Sequence, residues 1–578
     1  MQISDKAEGN KQLEGFEDFV GKMLEEWKVQ GCAVAIIKDG EILLSKGFGL
    51  RNVAEGLEVT PETLFPIASC TKAFTATSLA ILADEGKVDW DTPVRAYLPS
   101  FRMYDSFATE RMTPRDLVTH RSGLPRHDLM WYNSSRTRRE LFERLQYLEP
   151  SKDLRALWQY QNLMYMTAGY LAGELAGMSW EELVRQRIFQ PLGMTNSLFD
   201  INEAKELPNC SRPYIERNDE VKEMPYYAAQ GAIAPAGAIV SSISDMSKWV
   251  LLHANKGKIG DVQLVSEGQM MQMHAPQMVM QETHKYEELG NSTYGMGWFI
   301  HSYRGHTMVE HGGNIDGFSS LVTLFPRQNI GVVVLSNMDG NPLPYILTYN
   351  IGDRLLGLDE VDWNGRFRKE HDELKAGETR GKEKSETDRV QGTAPSHPLE
   401  AYSGDFEHPG YGTMSIELDG EQLKAIYNSM EFALKHYHYD VFEAHIERFD
   451  IMLKVSFSTN PRGDIETLSA PLEPMVSDIV FRRVPAKKML DKSFLEQFTG
   501  LYEVMGMPLT VALKGEKALI ASLPGQPDQE LVPYKGMEFR IKGHSGFSVE
   551  FKSDEAGVIT EALLTQPYGA FIAKKQTA

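Results

Sequence analysis

The hydrophobic pattern at the start of the chain changes from strand-like to helical. Two β-rich runs, CAVAIIK and EILLSKGFGL, flank a Lys38-Asp39-Gly40 turn, which predicts a hairpin. From residue 69 to about residue 194, apolar residues recur at helical spacing, as in TKAFTATSLAILADEG and NLMYMTAGYLAGELAG. The pattern therefore predicts one strand pair followed by a long helical region.

Strand patterns return toward residue 340. YGMGWFIHSYRGHTMVEHGG and SSLVTLFPRQNIGVVVLSN predict antiparallel strands joined by tight turns, and PYILTYNIGDRLLG predicts a closing helix. A sheet supplied by both ends of a segment, with helices between them, is an α+β arrangement. We therefore expect an α+β domain with an antiparallel sheet and flanking helices over residues 1–360.

Two smaller modules are predicted beyond a charged segment. Residues 361–397 are dense in charge and poor in apolar side chains, so we interpret them as an exposed linker. LEAYSGDF and LEQFTGLY then share the pattern Leu-Glu-x-aromatic-Ser/Thr-Gly-x-aromatic, and a strand–turn–strand signature follows each. Residues 398–487 and 488–578 are therefore predicted to be two antiparallel β modules, each a small barrel or sandwich.

Composition narrows the class of protein. A chain of 578 residues is too long to fold around a single hydrophobic core, so we expect several domains. Its hydrophobic content of 42% is ordinary for a globular protein. The net charge of −20 argues against nucleic-acid or membrane partners, because both need clustered Lys and Arg. The three cysteines fit a reducing compartment, and we recognise no secretory leader or membrane span. We expect a cytoplasmic protein without cofactor or metal, and homo-oligomerisation stays open.

A serine and a lysine stand at the head of one helical pattern. Ser69 and Lys72 are three residues apart, so they lie on one helix face and the lysine can reach the serine hydroxyl. A neutral lysine could take the serine proton, although its usual pKa of about 10.4 must first be lowered by burial or charge. The alternative is an N-cap serine beside a solvated lysine, and the pair alone does not decide.

Two further motifs follow in the chain. Tyr160-Gln161-Asn162 precedes an apolar helix pattern, and His311-Gly312-Gly313 ends a predicted strand. Together with Ser69-Cys70-Thr71-Lys72, they resemble the three motifs of the serine β-lactamase and penicillin-binding protein superfamily, in its class C branch. VTHRSGLP, PAGAIVSSISDMSKW and YGMGWF also look like this family. The resemblance covers residues 20–360 and implies a β-lactamase-like catalytic domain.

The resemblance implies a catalytic role for three residues. Ser69 would attack a carbonyl carbon and form an acyl-enzyme. Lys72 and a Tyr160 phenolate would share the proton transfers to and from Ser69 and the leaving group.

The resemblance also implies the substrate-binding residues. Asn162 would hydrogen-bond Lys72 and the substrate amide, the N–H groups of Ser69 and Asn314 would form the oxyanion hole, and Gly313 would leave the strand edge open. Lactamases proper carry a lysine where this chain has His311, and that lysine helps to hold the β-lactam carboxylate. Histidine at this place is familiar from D-aminopeptidases and several esterases of the superfamily.

The order of the domains sharpens the functional hypothesis. A β-lactamase-like domain followed by two barrels resembles bacterial D-aminopeptidases, in which one barrel lends a loop to the active site. We therefore expect a serine hydrolase acting on amide or peptide bonds of small substrates, with selectivity for D-residues. A carboxylesterase or transesterase is the alternative enzyme. A catalytically silent penicillin-recognising binding protein is the alternative from another class.

Two features of the C-terminal modules bear on this hypothesis. A free substrate amine needs an anionic partner, which Asp528 and Glu530 in LPGQPDQELV could supply, but we favour a plain solvated turn for this stretch. His436, His438 and Asp440 alternate along one strand pattern, which suggests either a metal site or a solvated strand face. We favour the solvated face and predict no metal.

Overall fold

The chain forms two compact units. The computed structural model describes residues 11–228, 231–281, 285–446, 451–516, 518–544 and 546–576. One unit contains the residues up to Asp388 together with Leu472–Ser477, and the other contains Arg389–Pro471 and Asp478–Ala578. The short segment Leu472–Ser477 therefore clusters with the first unit although it is far from it in sequence.

The first unit is built on a large antiparallel sheet. The strands of the whole unit are β1 Gly31–Lys38, β2 Glu41–Asn52, β3 Leu57–Glu58, β4 Phe65–Pro66, β5 Tyr214–Arg217, β6 Glu220–Glu223, β7 Val240–Ser241, β8 Lys258–Ile259, β9 Val262–Gln263, β10 Met278–Val279, β11 Leu289–Tyr294, β12 Phe299–Tyr303, β13 His306–Ile315, β14 Phe318–Phe325 and β15 Ile330–Ser336. The main sheet has the order β10-β11-β12-β13-β14-β15-β1-β2-β3. Both ends of the segment supply it, and β1 and β2 form the predicted hairpin.

The same unit contains α-helices before, between and after these strands. They are α1 Phe16–Glu26, α2 Thr71–Asp84, α3 Val94–Tyr97, α4 Ser106–Arg111, α5 Pro114–Leu117, α6 Arg138–Arg144, α7 Asn162–Ala176, α8 Trp180–Val184, α9 Gln190–Leu192, α10 Ile201–Ala204, α11 Ala234–Gly237, α12 Ile243–Ala254, α13 Glu267–Met273, α14 Leu343–Leu356 and α15 Trp363–Thr387. Because β14 and β15 are buried at every position, the sheet is covered on both faces. Every helix among the described residues is too short or too polar to cross a membrane.

The segment expected to be an exposed linker is helical in its first part. α15 begins at Trp363, which is buried against Tyr349 with ring centroids 4.7 Å apart. Arg366 forms two hydrogen bonds with the Glu288 carboxylate, at 2.8 and 2.9 Å. Trp363 and Phe367 are four residues apart and supply one apolar helix face, which the high average charge of the segment concealed.

The second unit contains two closed eight-stranded antiparallel barrels, which confirms the two predicted antiparallel modules as barrels. The first comprises β16 Gly404–His408, β17 Gly412–Asp419, β18 Gln422–Tyr427, β19 Met430–His438, β20 Val441–Ile446, β21 Ile451–Thr459, β22 Ile465–Ala470 and β23 Ile479–Val484. After α16 Lys492–Glu496, the second comprises β24 Gly500–Val504, β25 Met507–Lys514, β26 Ala518–Ser522, β27 Gln529–Lys535, β28 Glu538–Ile541, β29 Ser548–Ser553, β30 Ile559–Gln566 and β31 Gly569–Lys575.

The sequence repeat marks the start of each barrel. Its aromatic positions, Tyr402 and Phe406 in the first copy and Phe498 and Tyr502 in the second, are all fully buried. The repeated pattern is therefore the point at which a short helical turn enters the first strand and its aromatic residues fill the barrel interior.

Candidate active site

The predicted nucleophile lies in a strained turn ahead of a buried helix. Ser69 belongs to the 3-10 turn Ala68–Cys70, which leads into α2. Ala68 has φ of 46°, a left-handed conformation that costs a residue with a Cβ about 1–2 kcal/mol. Hydrogen bonds from Ile67 N–H to the Ile239 carbonyl (2.9 Å) and from Cys70 N–H to the Ile67 carbonyl (3.1 Å) hold the turn. Ser69 is thereby fixed at the N-terminal end of α2.

Lys72 is fully buried beside this serine. Its Nζ lies 3.0 Å from Ser69 Oγ and donates to Asn162 Oδ1 and to the Ala236 carbonyl, both at 2.8 Å. Burial, helped by the positive charge of Arg126, holds the pKa of Lys72 well below its usual value. A neutral amine at this place donates two hydrogens to these oxygens and keeps its lone pair for the proton of Ser69.

Tyr160 completes the contacts around Ser69. Its ring centroid lies 4.7 Å from Lys72 Nζ, and its hydroxyl hydrogen-bonds with the Ser69 side chain. Burial raises the pKa of Tyr160 well above its usual value, against the lowering effect of that hydrogen bond. The same burial favours a neutral phenol at Tyr160 and a neutral amine at Lys72, and it opposes the phenolate that the resemblance implied.

The segment VTHRSGLP positions the tyrosine motif. His120 is buried, its Nδ1 accepts the Gln161 N–H at 3.0 Å, and its ring lies 4.4 Å from the Tyr160 ring. The Gln161 side chain donates to the Pro125 carbonyl at 2.5 Å. These contacts hold Gln161 in place and pack His120 against Tyr160, so the segment positions Tyr160 and Asn162 on either side of Gln161.

An ion pair that sequence reasoning missed borders the same site. Asp128 Oδ2 accepts from Arg126 Nε at 2.6 Å, and Asp128 Oδ1 accepts from Asn162 Nδ2 at 3.1 Å. The Arg126 guanidinium lies 5.1 Å from the Tyr160 ring centroid. The only sequence signal was the Arg-His-Asp triplet directly after VTHRSGLP, and its charges resemble those of an ordinary surface turn.

Glu473 brings a second carboxylate to this turn. It lies in Leu472–Ser477, between β22 and β23, and is 4% exposed. Its carboxylate accepts the His127 N–H at 2.7 Å and the Met475 N–H at 3.1 Å. Glu473 therefore holds the backbone of the residue between Arg126 and Asp128.

The two acidic residues considered as partners of a substrate amine have partners within the second barrel. Glu530 lies inside β27 and accepts from Lys514 at 2.8 Å and Lys542 at 2.7 Å, which lowers its pKa to about 2. Asp528 accepts from Ser522 Oγ at 2.6 Å. The proline- and glycine-rich sequence indicated a loop, but Glu530 at its end lies in a strand and pairs with two lysines.

The alternating histidines of the first barrel also have ordinary partners. His436 Nε2 lies 2.9 Å from the Tyr439 carbonyl, and His438 Nδ1 accepts the Val390 N–H at 3.3 Å. Asp440 accepts from the Ser396 N–H at 2.8 Å. Within the described part of the chain, no group of three His, Cys, Asp or Glu side chains could hold a metal ion.

His311 lies beneath the site. It is 1% exposed, and its Nδ1 donates to the Gly312 carbonyl at 2.7 Å, so its Nε2 accepts from the Tyr294 hydroxyl at 3.0 Å. Burial lowers the pKa of His311 to about 3, with a smaller contribution from Lys72. His311 therefore supports β13 as a neutral, buried ring, whereas we had expected it to line the substrate.

Gly313 lets β13 approach the nucleophile turn. A Cβ on Gly313 would lie 2.3 Å from the Ile67 carbonyl oxygen and 3.0 Å from Ser69 N. Asn314 follows it, is exposed, and accepts from Ser319 Oγ through its side chain at 2.7 Å. The strand therefore brings the Gly313–Asn314 backbone beside Ser69 N, where the oxyanion hole was predicted.

Cys70 is a packed neighbour of the serine. Its Sγ donates to the His311 carbonyl at 3.0 Å, and burial raises the pKa of the thiol to about 12. Because the thiolate is the reactive form, Cys70 is unsuited to act as a nucleophile.

Gly313→Ala tests the close approach of β13. We expect kcat to fall by about 100-fold or more, since the added methyl group displaces the strand from Ser69 N and removed oxyanion donors cost that much. Gly21→Ala is the matched control, because a Cβ on Gly21 in α1 meets nothing within 4 Å. Turnover of a chromogenic ester and thermal melting of both variants give the comparison, and wild-type kcat in Gly313→Ala would contradict the geometry.

Comparison with known proteins shows the family of the chain. A family model described as Beta-lactamase matches residues 16–354, which is more than half of the chain. The chain belongs to the β-lactamase family. An unguisins hydrolase of Aspergillus campestris is 28% identical over 84% of this β-lactamase-family chain and 94% of its own length. The protein Flp of Staphylococcus aureus is 25% identical over 56% of this chain and 63% of its own length.

The similarity extends beyond the β-lactamase match. A model of a domain of unknown function, DUF3471, matches residues 388–483, the region of the first barrel. The octameric penicillin-binding protein homologue from Pyrococcus abyssi has a TM-score of 0.53 at 22% identity, over 81% of this chain and 99% of its own. This likeness shows a shared fold.

Proposed function

We propose that the protein is a serine hydrolase that forms an acyl-enzyme on Ser69 and cleaves amide bonds of short peptides or similar small molecules. The supporting observation is the 3.0 Å contact between Ser69 Oγ and a buried Lys72 whose pKa is strongly lowered. Family membership supports a hydrolase, as do relatives named for hydrolysing unguisins.

Acylation follows from the contacts of Ser69. Neutral Lys72 takes the Ser69 proton while Oγ forms a bond to the substrate carbonyl carbon. The Ser69 N–H and the Asn314 N–H stabilise the negative charge that develops on the carbonyl oxygen. Tyr160 donates its hydroxyl proton to the departing nitrogen and regains one from protonated Lys72, so an amine leaves and Ser69 carries the acyl group.

Deacylation uses the same groups in reverse. Water enters where the amine left and gives a proton to the Lys72–Tyr160 pair as its oxygen attacks the ester carbon. The Ser69 oxygen then leaves and recovers its proton. If an alcohol replaced water, the product would be an ester, so the same site also suits acyl transfer.

Selectivity for a free amine on a D-residue is the finer proposal. Such an amine needs a carboxylate near Ser69, and Asp128 and Glu473 are the candidates. Asp128 is the better candidate, because 29% of its side chain is exposed whereas Glu473 is buried. Both carboxylates already accept hydrogen bonds, so a substrate amine would have to share Asp128 with Arg126.

A matched substrate panel tests this proposal. We expect hydrolysis of D-alanyl p-nitroanilide at least about tenfold faster than of the L-form, and a loss of that preference when the amine is acetylated. Turnover of p-nitrophenyl acetate without any anilide turnover would identify a carboxylesterase instead. Failure of both substrate classes, together with no labelling by a fluorophosphonate probe, would identify a silent binding protein.

A further inference from the structure

The first unit contains a cavity whose lining includes none of the residues assigned above to the Ser69 site. Its volume is about 390 Å³, within the range of small-molecule sites. The ends of α12 and α13 form one wall, and residues of β13, β14, β15 and the turn between the last two form the other.

The floor of this cavity is apolar. Met270, Val309, Leu324 and Ile330 line it, and each is at most 3% exposed. Met271 lies at its edge and is 65% exposed. Of these five side chains, Met271 alone exposes a large surface, so an apolar molecule would gain chiefly by covering Met271, at about 25 cal/mol for each Å² buried.

Two residues that line the cavity each carry a buried polar atom without a partner in the described chain. His253 is 5% exposed; its Nδ1 lies 3.0 Å from His274 Nε2, and its Nε2 has no partner among the described residues. Asn329 Oδ1 is likewise buried without a partner in the described chain. Burial lowers the pKa of His274 to about 4, so this histidine pair carries no charge at neutral pH.

The mouth of the cavity is cationic. Lys256 and Glu267 form an ion pair at 2.7 Å, so their charges cancel at the mouth. Arg327 is exposed at the same mouth, and no carboxylate pairs with it in the described ranges. A chain of net charge −20 thus keeps one uncompensated guanidinium at the entrance.

We propose that this cavity binds a small apolar carboxylate. Its body lies against the Met270 and Ile330 side chains, and its carboxylate meets the Arg327 guanidinium. The ligand is thus an aliphatic or aromatic acid and is not the substrate of Ser69.

Tryptophan fluorescence will report occupation of the cavity. The His253 ring lies 4.4 Å from the Trp249 ring and 5.0 Å from the Trp298 ring. Trp249 in turn stacks on Phe74 of α2 at 3.7 Å. A bound molecule therefore changes the surroundings of two buried indoles.

The test uses 8-anilinonaphthalene-1-sulfonate, an apolar anion, titrated into the full chain and then displaced with octanoate or 1-octanol. We expect saturable binding of one molecule, with octanoate displacing it at concentrations at least about tenfold lower than octanol. Arg327→Gln should weaken octanoate about tenfold and remove its advantage over octanol. Arg139→Gln, which removes an exposed charge on α6, is the control and should change neither.

A cavity-filling variant tests the location. Ala254 is half-buried in the cavity wall, so Ala254→Trp fills the space without entering a closed core. This variant should lose binding while keeping its melting temperature, whereas Ser69→Ala should bind the probe as the wild type does. If Ala254→Trp bound the probe normally, if Ser69→Ala abolished binding, or if octanol matched octanoate, the proposal would be overturned.

Discussion

Ser69→Ala will abolish hydrolysis, with a fall in kcat on the order of 10⁴-fold or more. The substitution removes one half-buried hydroxyl that faces Lys72 and Tyr160 and takes no apolar packing from the core. No other group at the site can replace it, since the adjacent Cys70 is a buried thiol with a pKa of about 12. Initial rates with a chromogenic ester and labelling by a fluorophosphonate probe measure the effect.

Cys70→Ser is the matched control for this prediction. A serine can keep the hydrogen bond that Cys70 Sγ makes to the His311 carbonyl. We therefore expect the variant to label at Ser69 and to keep most of its activity. More than a trace of activity in Ser69→Ala, or inactivity of Cys70→Ser with normal Ser69 labelling, would refute the assignment of the nucleophile.

Lys72→Met and Tyr160→Phe will each lower kcat by about 100-fold or more, the usual size of an acid–base contribution. Lys72 and Tyr160 both contact Ser69, so they act as one proton-transfer unit. The double variant should then be nearly as active as the slower single variant. A double variant as slow as the product of the two single losses would show independent roles.

The pH dependence of the wild type checks the same unit. Only neutral Lys72 can accept the Ser69 proton, and burial places its pKa well below the usual value. Activity should therefore rise with pH through this lowered pKa and reach a plateau well below the usual lysine range. The rise should disappear in Lys72→Met, and a rise that persisted there would belong to another group.

Much of the fold could be predicted because the spacing of apolar residues and the turn motifs indicate the same elements over short stretches of sequence. The Lys38-Asp39-Gly40 turn joins β1 and β2, and the helical pattern after Ser69 becomes α2. The repeated aromatic pattern located the starts of both barrels. The helix α15 was missed, because two aromatic side chains decide the packing of its first turn, whereas average composition describes the whole segment.

The candidate site was predictable where residues are close in sequence or share a motif. Ser69 and Lys72 meet because they are three apart on a helix, and Asn162 meets Lys72 as the motif resemblance implied. Glu473 was not predictable, because only the folded chain brings residue 473 to the turn at His127. The charge state of Tyr160 was also missed, since it depends on burial by residues distant in sequence.

The most direct test of the account is to locate the acyl group during turnover. Wild-type protein mixed with p-nitrophenyl acetate, quenched in acid after the initial burst and digested, would be analysed by peptide mass spectrometry, with Ser69→Ala in parallel. The account predicts one acetyl group on Ser69 of the wild type and none in the variant. An acetyl group on Cys70 or another residue, or steady turnover with no acylated peptide, would contradict it.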